Sequence, residues 1–310
     1  MTGKTGMTGK SRSEQPGVTV LVNTYNHRDS IAPCLEAILA QQVDIPIEIV
    51  VVDDGSVDGT TELVHEQLAD QTAVAWRYVQ KQRAGGVACR QHAFDIAGHP
   101  LVLMLGGDCV LIGDTLLAAM VHDLGPNEPF VSLYGPHGGM GTLYRLRAVR
   151  AVGGFHLDFN RFGSGFRDDS DLHYRLLDHG WTGRYLRDLA PRFSHRQPRP
   201  VGLRGAVSYA VHRVAVHQLD ALLYRRNPTR FAEDFPLRWR ITDPADDFRR
   251  ATGLWRDGGR MELSSPQGVV LVRGDTAVGR IVAVAGGLAY VVAVRAARLT
   301  GALRYRTVLL

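Results

Sequence analysis

Short apolar blocks alternate with amphipathic stretches of helical length through the first third of the chain. Residues 18–22 (Val-Thr-Val-Leu-Val) and 47–52 (Ile-Glu-Ile-Val-Val-Val) are β-branched and nearly continuous in apolar side chains. Blocks of this kind are strands buried on both faces, as in parallel sheets. Further strands are expected over 74–79 and 101–105. Ile31, Leu35, Ile38 and Leu39 share one stripe of a helix that Asp29 or Ser30 can cap and that runs to Gln42. Helices are expected again over 58–68 and 87–97. The order β-α-β-α-β-α-β with short connections predicts an α/β fold, a mostly parallel sheet with helices on both faces. On such a sheet ligands bind beyond the carboxyl ends of the strands. The polar loops after the first, second and fourth strands therefore gather on one edge.

The pattern is less regular beyond residue 110. A strand is expected over 130–134, then a glycine-rich loop, His137-Gly-Gly-Met-Gly141, and a helix over 143–152. Gly153-Gly-Phe155 reads as a turn. A helix over 169–179 has Leu172, Leu176 and Leu177 along one stripe, and Gly180 ends it. One amphipathic helix is expected over 203–226, followed by a mixed segment with Trp239 and Trp255. The longest apolar run, 281–294, has 14 residues between Arg280 and Arg295. A bilayer crossing takes about 20, so this run reads as a core helix or an interfacial one. The first 17 residues are small and polar, repeat Met-Thr-Gly-Lys, and read as a loose tail without a secretory leader.

Composition narrows the classes. Apolar residues make up 45% of 310 residues, enough to bury a core and to exclude a disordered chain. Of 36 basic residues only Lys4, Lys10 and Lys81 are lysine. Arginine forks suit phosphate oxygens, although genome composition alone also accounts for such a bias. The charge is uneven: residues 189–232 hold eight arginines and one acid, and five arginines but no acid follow Asp275. That asymmetry suggests an anionic ligand or surface. No nucleic-acid-binding module or aromatic-interleaved basic patch is present. Cys34, Cys89 and Cys109 are sparse and lack metal-ligand spacing, which fits a reducing, cytoplasmic setting.

Three acidic clusters carry candidate chemistry. Asp53-Asp54-Gly55-Ser56 ends the second strand, where a carboxylate can accept hydrogen bonds from a base N–H or from ribose; the competing reading is a turn with Asp58 as a helix cap. Gly106-Gly107-Asp108 ends the fourth strand; Asp108 either binds a hard divalent cation bridging a diphosphate or is a turn residue. Asp168-Asp169-Ser170-Asp171 opens a helix behind Gly163-Ser-Gly165. Capping accounts for one or two of the three carboxylates, and packed carboxylates raise one another's pKa, which suits a general base. His195 follows a short apolar stretch; it is either structural or closes a metal site with Asp108. A Walker A loop and a G-x-S-x-G elbow are both absent.

In order and spacing these features resemble family 2 glycosyltransferases of the GT-A fold, from about Val18 to His195. The residues that carry the resemblance are Val20-Leu-Val-Asn-Thr-Tyr-Asn26, Val51-Val-Asp-Asp-Gly-Ser-Val-Asp-Gly-Thr60, Leu105-Gly-Gly-Asp108, Val152-Gly-Gly-Phe155 and Asp168-Asp-Ser-Asp-Leu172. With it the chain divides into a transferase domain over 18–200 (nucleotide-sugar half 18–110, acceptor half 111–200), between the polar tail over 1–17 and a mainly helical extension over 201–310 that the resemblance does not reach. It implies inverting transfer from a nucleotide sugar, commonly a UDP-sugar, with Mg²⁺ or Mn²⁺. Thr24 and Tyr25 then pack beside the uridine and Asp54 holds the uracil. Asp108 is the last Asp of the D-x-D element and a metal ligand, with His195 helping to hold the metal. Asp169 is the expected base and Asp171 its understudy. Two positions depart from the pattern: Gly106 replaces the first Asp of D-x-D, and Asp168 replaces the Glu of Glu-Asp-x-Asp.

The activity so implied moves a sugar, UDP-glucose being the first donor, to an acceptor hydroxyl on a small molecule or saccharide. Arginine content and compact size also resemble glucosyltransferases of aminocyclitol-antibiotic pathways, of the validamycin type. Two alternatives stay open. Gly106 prompts a non-catalytic nucleotide-sugar-binding protein, and the basic C-terminal end prompts peripheral contact with a membrane.

Overall fold

The computed structural model describes residues 17–134, 139–195, 202–234, 255–256, 260–265, 268–273 and 277–308. The tail up to residue 16, His137 of the glycine-rich loop and Trp239 lie outside the described residues. The chain divides into two units, 1–197 and 198–310.

In the first unit β1 (Val18–Thr24) is buried along its whole length, as its unbroken apolar pattern requires. After α1 (Ile31–Leu39) come β2 (Ile47–Asp53), α2 (Thr60–Leu68), β3 (Ala75–Gln80), α3 (Gly86–Ile96) and β4 (Leu101–Gly106). These four strands pair in parallel in the order β3-β2-β1-β4. Beyond them lie β5 (Cys109–Leu111), α4 (Leu116–Asp123), β6 (Phe130–Ser132), β7 (Thr142–Arg145), α5 (Leu146–Ala151), α6 (Asp168–Asp178), β8 (Arg184–Tyr185) and β9 (Phe193–His195). The sheet has seven strands, β3-β2-β1-β4-β7-β6-β8, with β7 antiparallel to both neighbours.

Helices cover both faces. Val20, Val22, Ile49, Val51, Leu103 and Leu105 point towards α1, α2 and α4 and form one continuous core with them. On the other face Phe94 of α3 packs edge-on against Tyr144 and Phe155, and Phe130 stacks at 3.9 Å on His173 of α6. A side chain adding ~25 cal/mol per Å² of buried apolar surface explains why the central strands tolerate so few polar residues.

The expected helix over 143–152 begins as strand. Leu143, Leu146, Val149 and Val152 recur at helical spacing, but Thr142, Leu143 and Tyr144 are fully buried between β4 and β6, so sheet pairing takes residues 143–145 and the helix starts at Leu146. β5 and α4 were not foreseen.

The second unit contains α7 (Gly202–Ala215), α8 (Gln218–Arg226), α9 (Pro228–Asp234), strands β10 (Trp255–Arg256), β11 (Arg260–Ser265) and β12 (Gly268–Arg273), and α10 (Ala277–Arg304). The single helix expected over 203–226 breaks at Val216-His217. There the backbone tightens to three-residue bonds, Leu219 N to Val216 O at 2.9 Å and Asp220 N to His217 O at 3.2 Å. The His217 ring meets Asp220 Oδ2 at 2.9 Å and Tyr290 Oη at 3.0 Å, so tertiary polar contacts override helix propensity. The antiparallel β10-β11-β12 sheet was not expected, although Val269-Val-Leu-Val272 is a short β-branched block.

Candidate active site

The loops after β1 and β2 are tied together through Asn26. Its backbone is left-handed (φ 53°), a conformation asparagine tolerates. Its N–H donates to Ser56 Oγ at 2.8 Å, and its Oδ1 accepts from the Val57 N–H at 3.0 Å. Gly59, not Asp58, holds the N-cap position of α2; Asp58 instead accepts from Thr60 Oγ1 at 2.6 Å and from the Arg28 N–H at 3.1 Å.

Asp53 and Asp54 are both buried and do different work. Asp53 accepts from the Ser56 N–H at 2.7 Å and from Tyr78 Oη at 2.6 Å, which holds β2 against β3. Asp54 Oδ1 accepts from the Ala84 N–H at 2.6 Å and the Gly85 N–H at 3.0 Å, and Oδ2 accepts from the Gly85 N–H at 2.9 Å. Asp54 thus seats the loop that opens α3. A carboxylate offers about four lone-pair sites, so Oδ2 retains capacity for a ligand N–H.

Tyr25 and Thr24 separate. The Arg83 guanidinium lies 3.7 Å from the Tyr25 ring centroid, leaving a planar aromatic platform under a cation. Thr24 is buried, with its hydroxyl 3.3 Å from His27 Nδ1. His27 has its pKa lowered by burial, against the opposing pull of Asp108.

Asp108 and His195 meet although 87 residues separate them in sequence. Antiparallel pairing of β5 with β9 sets Cys109 opposite His195, and His195 Nε2 lies 3.2 Å from Asp108 Oδ2. Burial acts to raise the Asp108 carboxyl, but the hydrogen bond and charge of His195, with His27 behind it, hold it below its ordinary value. Ligand atoms of Asp108, Cys109 and His195 lie within 4.8 Å of one another. Burial and the neighbouring Asp108 push the Cys109 thiol far up, so it stays protonated and is no ligand for a hard cation. One carboxylate and one imidazole would suit a divalent cation, the imidazole favouring Mn²⁺ over Mg²⁺. A Cβ at Gly106 would lie 2.6 Å from Asp108 Oδ1, so an added D-x-D carboxylate would displace the ligand it is meant to assist.

The three carboxylates of α6 also part company. Asp168 is buried in an ion pair with Arg90 of α3, whose other nitrogen donates to Ser164 O at 3.0 Å. Asp171 is fully buried and paired with Arg175 at 2.8 Å; that arginine also donates to Val152 O and Gly154 O, at 2.5 and 2.7 Å. Asp169 alone is half-buried and in contact with the glycine loop, where a Cβ at Gly139 (φ +103°) would stand 3.2 Å from its Oδ2. Burial and the adjacent Asp168 push its pKa up to about 7. Arg167, just before the helix, has a left-handed backbone (φ 69°), a strained conformation of the kind that clusters at functional sites. At Gly141, two residues after Gly139, an added Cβ would stand 3.2 Å from the ring of Phe193 on β9.

Sequence reasoning missed Arg90, His27 and Asn23. Asn23 is buried at the carboxyl end of β1, beside Gly106 in register, and neither its Oδ1 nor its Nδ2 has a hydrogen-bond partner. Polar residues ending an otherwise apolar strand were the available signal.

Asp54 and Asp108 follow β2 and β4 at the carboxyl edge of a 3-2-1-4 parallel sheet, the edge at which α/β proteins of this class bind their ligands. The chain belongs to glycosyl transferase family 2: the family model, described as "Glycosyl transferase family 2", matches residues 19–176, just over half of the chain. It is 30% identical over 102 residues to glycosyltransferase AglE of Haloferax volcanii; the match covers 31% of this chain and 32% of that protein. The chain therefore spans about a third of the length of that curated relative. Its fold is similar to that of the mannosyltransferase PcManGT from Pyrobaculum calidifontis, solved with GDP-Man and Mn²⁺, with TM-score 0.65, 20% identity, and coverage of 93% of this chain and 88% of that one. TarS of S. aureus aligns at TM-score 0.47 with 18% identity, covering 76% of this chain and 79% of that one.

Proposed function

We propose that this chain transfers a sugar from a nucleotide sugar to an acceptor hydroxyl with inversion at the anomeric carbon. The observation that carries this reading is the division of labour among its carboxylates: Asp108 beside His195, and Asp169 with a raised pKa at the mouth of the glycine loop. Asp169 takes the acceptor proton as the hydroxyl oxygen bonds to the anomeric carbon and the bond from that carbon to the diphosphate oxygen breaks. Asp108 and His195 would hold a divalent cation, which when bound neutralises charge gathering on the leaving diphosphate. Asp171 acts as a positioning residue through Arg175.

The remaining capacity of Asp54 Oδ2 for a base N–H supports a UDP-sugar, with UDP-glucose the first donor to try. The first acceptor class is a small hydroxylated molecule such as an aminocyclitol. A second reading, a saccharide acceptor at a membrane surface, is favoured by the exposed apolar side chains of α10. UDP release from a panel of UDP-sugars, with both acceptor classes and Mn²⁺ or Mg²⁺, tests the proposal. Acceptor-dependent release supports it; tight donor binding with no release for any acceptor favours a binding protein instead.

A further inference from the structure

α10 is apolar on two opposite sides, and among the described residues only one of them is covered. Tyr290, Val294, Ala297 and Gly301 face α8. Tyr290 Oη meets His217 Nε2 at 3.0 Å, Val294 and Ala297 are buried, and Gly301 lies so close to the Gln218 carbonyl that no side chain would fit. Arg298 adds an ion pair to the buried Asp220 at 2.8 Å. The opposite side carries Ile281, Leu288, Val292, Leu299 and Leu303, exposed by between 42% at Leu288 and 76% at Leu303. Their spacings of seven, four, seven and four keep all five within about 60° of one another at 100° per residue. A helix apolar all round is normally buried, so this stripe calls for a cover.

We infer that the exposed stripe of α10 lies flat in the interface of an anionic lipid bilayer. Charge selects this occupant. Arg295 is exposed at the edge of the stripe, Arg304 and Arg306 are exposed at its C-terminal end, and no acid follows Asp275. A second copy packed on this face would bring arginines together with no carboxylate of this segment to pair with them. Anionic headgroups meet the arginines while the apolar side chains enter the acyl boundary. No described helix is long and apolar enough to cross a membrane. The 28-residue helix offers about 42 Å of length for the contact.

Flotation of the full chain tests this, with phosphatidylcholine vesicles against vesicles containing roughly a third phosphatidylglycerol. The expected result is binding to the anionic vesicles, weakened by salt, and reduced at least ~10-fold in Leu288→Glu/Leu299→Glu, both changes being at exposed positions. Leu299→Trp should show a blue-shifted emission on the same vesicles, while thermal melts of both variants match the parent. Absence of flotation, equal flotation of the double variant, or a solution dimer that the double variant dissociates would each overturn the inference, the last by assigning the face to a second copy.

Discussion

Arg90, midway along α3, is ion-paired with the buried Asp168 that opens α6, and the carboxylate next in the chain, Asp169, has the raised pKa. Two adjacent carboxylates share one guanidinium, and the pairing is unequal. Asp168 takes the direct contact, which holds α6 to α3, and Arg90 also donates to the Ser164 carbonyl. Asp169 lacks that direct contact, and its pKa of about 7 is the kind of proton affinity a general base uses.

Arg90→Met should move the acid limb of the kcat/KM profile to higher pH, because Arg90 is one of the influences that hold the Asp169 carboxyl down. Arg90→Lys keeps the charge but loses the fork to Asp168 and Ser164, and should shift the limb less. An unmoved limb in Arg90→Met would separate Arg90 from the base.

Asp169 should also make the fold less stable towards alkaline pH. Its folded pKa is raised, so the native state binds the proton more tightly than the unfolded chain. Stability is then lost as pH rises from about 4, the unfolded range, through about 7. Asp169→Asn removes this dependence. Its Tm should fall less than the parent's between pH 5 and pH 8, as read by scanning calorimetry at the two values. Parallel Tm changes would show that Asp169 is not held near neutrality.

Chelation should abolish transfer, and Mn²⁺ or Mg²⁺ should restore it. Asp108→Asn should cut metal-dependent activity by ~10²-fold or more and His195→Ala by ~10-fold or more, with a higher metal concentration for half-activity. Cys109→Ala should leave that concentration unchanged, since the thiol is protonated. Full activity in excess chelator would mean that cationic side chains alone neutralise the diphosphate.

Asp54→Asn should act on affinity and stability together. The amide keeps the size of the carboxylate but turns an NH₂ group towards the Ala84 and Gly85 N–H donors or towards the ligand. UDP binding should weaken by ~1.5–3 kcal/mol in calorimetry, with a lower Tm, because a charged hydrogen-bond acceptor is lost at both ends. A lower Tm with unchanged UDP affinity would confine Asp54 to holding the loop.

β1, β2 and β4 were legible because each is a short apolar block that two neighbouring strands bury, so burial on both faces writes itself into composition; β3, the half-exposed edge strand, shows only the alternation of Trp76 and Tyr78 with polar residues. The clusters at Asp54, Asp108 and Asp169 were legible because polar residues interrupt that pattern at strand ends and at a helix start. The roles within each cluster were not, since they depend on distant partners. Arg90 reaches Asp168 across 78 residues, and the β5–β9 pairing that brings His195 to Asp108 has no local signature. The strand over 142–145 was hidden by a leucine and valine spacing that serves strand and helix alike. The break before α8 was hidden because His217 is held by Tyr290, far along the chain.

The most direct test of the central claim compares the parent with Asp169→Asn in the same assay, once a donor and acceptor are in hand. UDP release gives turnover, and calorimetry gives UDP-sugar affinity with the same metal present. The amide preserves shape and removes the proton acceptor. The account predicts a fall in kcat of ~10²–10⁴ with donor affinity within about twofold of the parent. Normal turnover by Asp169→Asn would contradict it. If Asp171→Asn alone were inactive while binding donor and melting like the parent, the base would be Asp171 rather than Asp169.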